Sequence, residues 1–293
     1  SAGFVQGGTA SERESPGLIP LGTVSYEPMW VFFRGAHPGR KLEGLRGKRI
    51  SIGPEGSGTP ELALKIFAQA GIDPGRSLPD AKALLAAGPY DLVMIGTPNH
   101  LHFEHLNMAL DTGWPVFCEK PIVRTQAESF ALARRLSSGP SPPLYIGLVM
   151  RSMTIVREVI ARCDSGQLGE IVSIDATEHL PPEHGGYLAR NWRRRQEWGG
   201  SYLLDKVCHD FDIFGRIARS RPASAASFGG RRIFTADRAG RPRTYDNGEA
   251  AYALRDAGWM GANDSFQSDM DVTDHQTAMV EYANDIRLTF HAN

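Results

Sequence analysis

The chain has 293 residues, 41% of them hydrophobic and 22% charged, with a formal net charge of -1. That length suffices for two ordinary domains with sizeable cores. The charge balance excludes partners drawn by overall charge, such as nucleic acid or an anionic membrane surface.

No apolar run is long enough to span a bilayer. Cys118, Cys163 and Cys208 have neither metal-ligand nor disulfide spacing, so reduced thiols and no metal are expected. The opening stretch Phe4-Val5-Gln6-Gly7-Gly8 has neither a basic leader nor a signal-type apolar segment, and a cytoplasmic location is expected.

Leu21 to Phe33 alternates loosely and is rich in aromatic and β-branched residues, which predicts a strand. Lys48 to Ile52 is a second short strand, running into Gly53-Pro54-Glu55-Gly56-Ser57-Gly58-Thr59. Thr59 suits an N-cap and Pro60 the first helical position, so a helix is predicted over 61–70, ended by Gly71. Strand, glycine turn and helix can cradle a pyrophosphate, which makes Gly53, Gly56 and Gly58 candidate cofactor-binding residues. Glu61 stands where a third glycine is expected. Glu55 and Glu61 would also repel a diphosphate at the helix amino end. A simple polar turn is the competing reading.

Gly22-Thr23-Val24-Ser25-Tyr26-Glu27-Pro28-Met29-Trp30-Val31-Phe32, together with the run from Gly47 to Thr59, resembles the TAXI-type solute receptors of TRAP transporters. The resemblance covers about 1–72 and implies a receptor-like fragment, 1–77, that meets a second kind of chain at the turn-rich Asp73-Pro74-Gly75-Arg76-Ser77. Part of that fragment, 45–72, would then complete the first sheet.

Next come a short helix from Asp80 to Ala87 and a buried strand from Asp91 to Ile95, which runs into Gly96-Thr97-Pro98-Asn99. A helix over 101–113 and a strand over 115–118 follow, and the strand ends in Glu119-Lys120-Pro121. These apolar runs separated by helices predict an α/β fold with a Rossmann-like parallel sheet. Lys120 then stands at the carboxyl end of a parallel strand, where open α/β sheets bind ligands.

A loop over 137–143 leads to a helix over 153–165 and a strand over 170–178. Arg190, Arg193, Arg194 and Arg195 read first as a solvated basic face, with an anion or cofactor-phosphate contact as the alternative. A single helix is predicted from Leu203 to Ala218, placing Asp205 and His209 one turn apart on one face. Asp210 and Asp212 read as helix-surface or substrate-rim groups. Strands over 225–232, 274–282 and 286–291, the last two joined at Ala283-Asn284-Asp285, predict an α+β domain with a mostly antiparallel open sheet.

Thr97-Pro98-Asn99-His100-Leu101-His102, Glu119-Lys120-Pro121 and the run from Gly199 through Asp205 to Asp210 resemble the Gfo/Idh/MocA family of NAD(P)-dependent oxidoreductases. The likeness runs from about residue 78 to the last residue. Against the family pattern, the first Rossmann βαβ unit and the C-terminal end are lacking. It implies a dinucleotide-binding remainder over 78–149 and a substrate and oligomerisation domain over 150–293. The implied cofactor is NAD or NADP, the implied substrate a sugar or polyol carbinol, and the implied assembly a homo-oligomer through the second sheet.

Carried over by position, Lys120, Asp205 and His209 are the catalytic group. His209 is the acid/base, Lys120 steadies the developing alkoxide and Asp205 orients the substrate or tunes the base. Thr97, Pro98, Asn99, His102 and Glu119, with Lys120, would border the cofactor. Arg151, His184, Tyr187 and Trp192 are candidate substrate contacts. Against a dehydrogenase with an impaired cofactor site stand two alternatives: an inactive fusion fragment, and a small-anion-binding protein acting through the N-terminal segment.

Overall fold

The computed structural model describes residues 67–68, 78–240, 244, 252, 260–262 and 264–293. The strands expected over 21–33 and 48–52, Gly53, Gly56, Gly58 and the junction 73–77 lie outside the described residues. Phe67, which is buried, and Ala68 are helical, within the span expected for the 61–70 helix.

The contacts divide the chain into two compact units. One takes the chain as far as Thr97, with Glu104–Cys118 and Pro140–Tyr145; the other takes Pro98–Phe103, Glu119–Gly139 and Ile146–Asn293.

In the first unit, α1 (Ala81–Ala86) starts where the Asp80 carboxylate accepts from the Ala83 amide. Strand β1 (Val93–Ile95) is β-branched at both ends and pairs in parallel with β2 (Val116–Cys118). The sheet order is β1-β2-β3, with β3 at Leu144–Ile146. All three residues of β2 are buried, as a central strand requires. Between β1 and β2 runs α2 (Asn99–Asp111), whose buried His102, Leu106, Ala109 and Leu110 recur at helical spacing. Gly113, at φ 74°, takes the left-handed conformation that ends a helix.

After Lys120 the second unit continues with α3 (Gln126–Ser137), begun by a reciprocal Thr125–Glu128 capping box. Helix α4 (Thr154–Asp164) then leads to β4 (Ser173–Glu178), α5 (Pro182–Arg190) and a 3-10 turn at Trp192–Arg194. Short helices α6 (Gln196–Gly199) and α7 (Tyr202–Asp205) precede α8 (Cys208–Ala218). The sheet is β4-β7-β6-β5, with β5 at Pro222–Gly230, β6 at His275–Tyr282 and β7 at Arg287–Ala292. Two of its pairings are antiparallel, whereas β4 runs parallel to β7.

Strict alternation in β7 buries Leu288, Phe290 and Ala292 on one face. Phe214 and Ala218 of α8 belong to the same core as these residues, Val280 and Tyr282. The rings of Phe211 and Phe214 lie 5.5 and 5.6 Å from that of Phe290. Burying each such phenylalanine contributes about 1.5–3 kcal/mol. This packing fixes the helix that carries His209.

Candidate active site

Lys120, Asp205 and His209 all fall within the second unit. The single helix expected over 203–218 is instead broken: α7 ends at Asp205 and α8 begins at Cys208. At the break the Asp205 carbonyl accepts the Lys120 ammonium at 2.6 Å and the Cys208 thiol at 3.7 Å. Asp205 and His209 therefore stand on successive helices rather than on one continuous face.

Asp205 is 5% exposed, and its side chain is engaged. Its Oδ1 accepts the Asn99 amide at 2.7 Å, and Arg193 Nε lies 3.2 and 3.1 Å from its two oxygens. Burial pushes this carboxyl up. The charges of Arg193 and Lys120, with the hydrogen bonds from Asn99 and Arg193, outweigh burial and hold it below the usual range.

His209 is 8% exposed, and its Nδ1 has no hydrogen-bond partner among the described residues. Burial, reinforced by the Lys120 and Lys206 charges, pushes its pKa down to about 4, while Asp212 and Glu178 oppose the shift. The ring is therefore neutral at pH 7 and able to accept a proton.

The expected cofactor neighbours are occupied in ways the sequence did not suggest. Asn99 gives its second amide hydrogen to the Gly199 carbonyl at 2.9 Å and is 2% exposed, so it ties the 199–205 segment rather than presenting a free polar edge. His102, 1% exposed, donates from Nδ1 to the Pro121 carbonyl at 2.7 Å and anchors the backbone next to Lys120. Thr97 is hydrogen-bonded to His105 at 3.1 Å, and the Pro98 carbonyl accepts the Leu101 amide. Glu119 accepts the Lys120 amide at 3.3 Å; burial raises its pKa, against the pull of that hydrogen bond and of the Lys120 and Arg193 charges.

The expected substrate contacts separate. Arg151 forms a two-pronged ion pair with Asp212 and is exposed. Trp192 is buried beneath the Arg193 guanidinium, which lies 4.2 Å from its ring centre. His184 and Tyr187 sit on α5. A cavity of about 180 Å³ in this unit is lined by Arg193, Ser201, Tyr202, Asp205 and Asp274 among mostly apolar neighbours. None of the four expected substrate residues lines it.

The basic cluster is not a solvated face. Arg194 is 6% exposed, pairing with Asp269 and donating to the Met260 carbonyl, and Arg193 is the partner of Asp205. The one sequence signal for Arg193 was its place beside a tryptophan and shortly before the double glycine. Those glycines are where crowding forbids a side chain. A Cβ on Gly199 would fall 2.7 Å from the Arg193 carbonyl oxygen, and one on Gly200, at φ 97°, 2.7 Å from Leu204.

Among the described residues, no helix is long and apolar enough to cross a membrane. Cys118, Cys163 and Cys208 are free thiols, and burial pushes Cys208 up to about 11.

Two family models match the chain. One, described as an oxidoreductase family with an NAD-binding Rossmann fold, covers residues 58–139; the other, the GFO/IDH/MocA C-terminal domain, covers 156–293. The first match begins at Gly58, so the stretch 58–72, which resembled a receptor fragment, falls within the oxidoreductase match.

Inositol 2-dehydrogenase of Corynebacterium glutamicum strain R is 25% identical over 48% of this chain and 39% of its own length. The 2,7-anhydro-N-acetylneuraminate hydratase of Mediterraneibacter gnavus is 25% identical over 71% of this chain and 53% of its own. The chain thus spans about two-fifths to half of these relatives. A levoglucosan dehydrogenase solved with NADH superposes with a TM-score of 0.59 at 22% identity, over 81% of this chain and 56% of that one, which shows a shared fold.

Proposed function

The chain belongs to the Gfo/Idh/MocA oxidoreductase family, and from that premise we propose that it oxidises a carbinol of a sugar or polyol with NAD. The observation that carries this reading is the arrangement of Lys120 and Asp205, with Asn99 and Arg193 bracing Asp205, beside a neutral His209.

Room for a dinucleotide is supported by the sheet. Ile95 and Cys118 are register partners in parallel strands, so Gly96–Asn99 and Glu119–Lys120 leave from the same carboxyl edge. Among the described residues, a Cβ on Gly96 would meet nothing within 4 Å. Bound NAD would supply the hydride acceptor.

Lys120 spends one ammonium hydrogen on Asp205 and keeps two donors for the reacting hydroxyl. His209 accepts the hydroxyl proton. Asp205 is a positioning residue: its carboxylate is wholly taken up by Arg193 and Asn99, and its carbonyl aims Lys120. Glu119, next to Lys120, would border the nicotinamide of a bound cofactor. Glu55 and Glu61, which flank the glycine pair in sequence, weaken pyrophosphate binding by repulsion.

Sugar and polyol substrates are supported by the relatives' names. The test is fluorescence titration of the whole chain with NADH and NADPH, then turnover on cyclic polyols and anhydrosugars with NAD. Binding of neither nucleotide at millimolar concentration would remove the proposal.

A further inference from the structure

The cavity of about 180 Å³ lies within the second unit, and hydrogen bonds of the chain itself hold its walls. Helix α5 contributes Pro182 and Leu188, and the loop after β5 contributes Ile233 and Phe234. The Asp274 carboxylate, just before β6, accepts the amides of Arg232, Ile233 and Phe234 at 2.9, 2.8 and 2.9 Å, which fixes that loop. Met270 also lines the cavity, and its carbonyl accepts the Arg231 guanidinium. Ser265 donates to the Gly186 carbonyl at 2.8 Å and so ties its own segment to α5.

Three charged side chains reach the lining: Arg193, Asp205 and Asp274. Both carboxylates are committed, Asp274 to the three amides and Asp205 to Asn99 and Arg193. Arg193 gives Nε to Asp205 and Nη1 to Asn191, and its Nη2 has no partner among the described residues. Of the lining hydroxyls, Ser201 accepts the Leu204 amide at 3.1 Å and Thr273 donates to Gln276 at 3.2 Å. Tyr202 presents its ring, because its hydroxyl is shut off from solvent. The rest of the wall is mostly aliphatic and aromatic.

We propose that this cavity binds a neutral, largely apolar single ring carrying an acceptor oxygen, with Arg193 Nη2 as the polar anchor. The size fits, since an apolar cavity of about 150 Å³ takes benzene. An anion is disfavoured, because Asp205 already offsets the Arg193 charge and Asp274 adds a second carboxylate. A ring bearing a hydroxyl at every carbon is disfavoured too: most of those hydroxyls would lose water and find no partner. The site does not depend on the proposed dehydrogenase activity.

Methyl NMR on the whole chain tests it, with cyclohexanone, toluene and myo-inositol as probes. Cyclohexanone at millimolar concentration is expected to shift the methyls of Leu188, Ile233 and Val272 saturably, and myo-inositol to leave them in place. Val272→Phe and Leu188→Phe each fill the cavity and should abolish the shifts of the remaining methyls. Circular dichroism identifies which variant is folded, and either one suffices. In Arg193→Lys the affinity for cyclohexanone relative to toluene should fall about tenfold, the usual worth of one hydrogen bond to a charged group. Damage to the cavity as a whole would weaken both probes and leave that ratio unmoved. Wild-type methyls that do not respond, or a response that survives in a folded filled variant, overturn the site. Equal binding of myo-inositol overturns its chemistry, and an unmoved ratio overturns Arg193 as the anchor.

Discussion

Lys120 gives an ammonium hydrogen to the backbone carbonyl of Asp205 at 2.6 Å, while the carboxylate of the same residue is held by Arg193 and Asn99. One residue thus organises both its neighbours, through its backbone on one side and its side chain on the other. The lysine proposed to be catalytic is aimed by a group that cannot change its protonation state.

Asp205→Asn removes the counter-charge of Arg193, whose side chain is 26% exposed. Breaking a buried pair costs about 3–5 kcal/mol, and partial exposure of the arginine reduces this to about 2–3 kcal/mol. The sign with pH follows from the lowered carboxyl. Its contribution is present above the unfolded value of about 3.9 and is lost as pH falls through the folded value. Urea midpoints should therefore drop in acid for the wild-type chain and change less for the variant. Equal acid dependence in both would mean that Asp205 is not held ionised.

Asn99→Ala strands the Gly199 carbonyl and strips one donor from Asp205, both in buried surroundings. A cost of about 1–3 kcal/mol is expected from the group left unsatisfied. Denaturant unfolding measures it, and a change below about 0.5 kcal/mol, the range of ordinary surface substitutions, would contradict this role.

The parallel β1–β2 pair, the intervening helix and the β6–β7 hairpin were legible because apolar period and turn residues act locally. Asp285, at φ 64°, sits where the expected Ala283-Asn284-Asp285 turn needs it. The break after Asp205 was not legible, because helix spacing continues through Leu204, Val207 and Phe211 while a distant lysine competes for the Asp205 carbonyl. Arg193 and Arg194 were misread for a related reason: charge predicts exposure until partners far along the chain, here Asp205 and Asp269, cancel the cost of burial.

Gly200→Ala should cost about 1–3 kcal/mol, since an alanine at φ 97° is strained and its Cβ would press on Leu204. Gly199→Ala meets backbone rather than a side-chain tip, at 2.7 Å from the Arg193 carbonyl oxygen, and cannot be relieved by a rotamer change. It should be the more damaging of the two in thermal melts. The reverse order would show that the 193–199 turn has slack.

Lys120→Met separates charge from bulk. The ammonium is one of the cations that depress His209, so its loss should raise the histidine midpoint from about 4 toward 6.5, stopping short because burial, the larger cause, remains. On the proposed mechanism the same change removes the donor to the reacting hydroxyl, and a loss of about 10²–10³ in kcat is expected, the usual cost of one such donor. Substrate KM should change little if the donor acts chiefly on the developing alkoxide. Lys120→Arg restores the charge but not the compact ammonium that fits the Asp205 carbonyl, so it should restore the low histidine midpoint without restoring kcat. If arginine rescued turnover as well, charge alone would be sufficient, and the Lys120–Asp205 contact would have no part in aiming the donor.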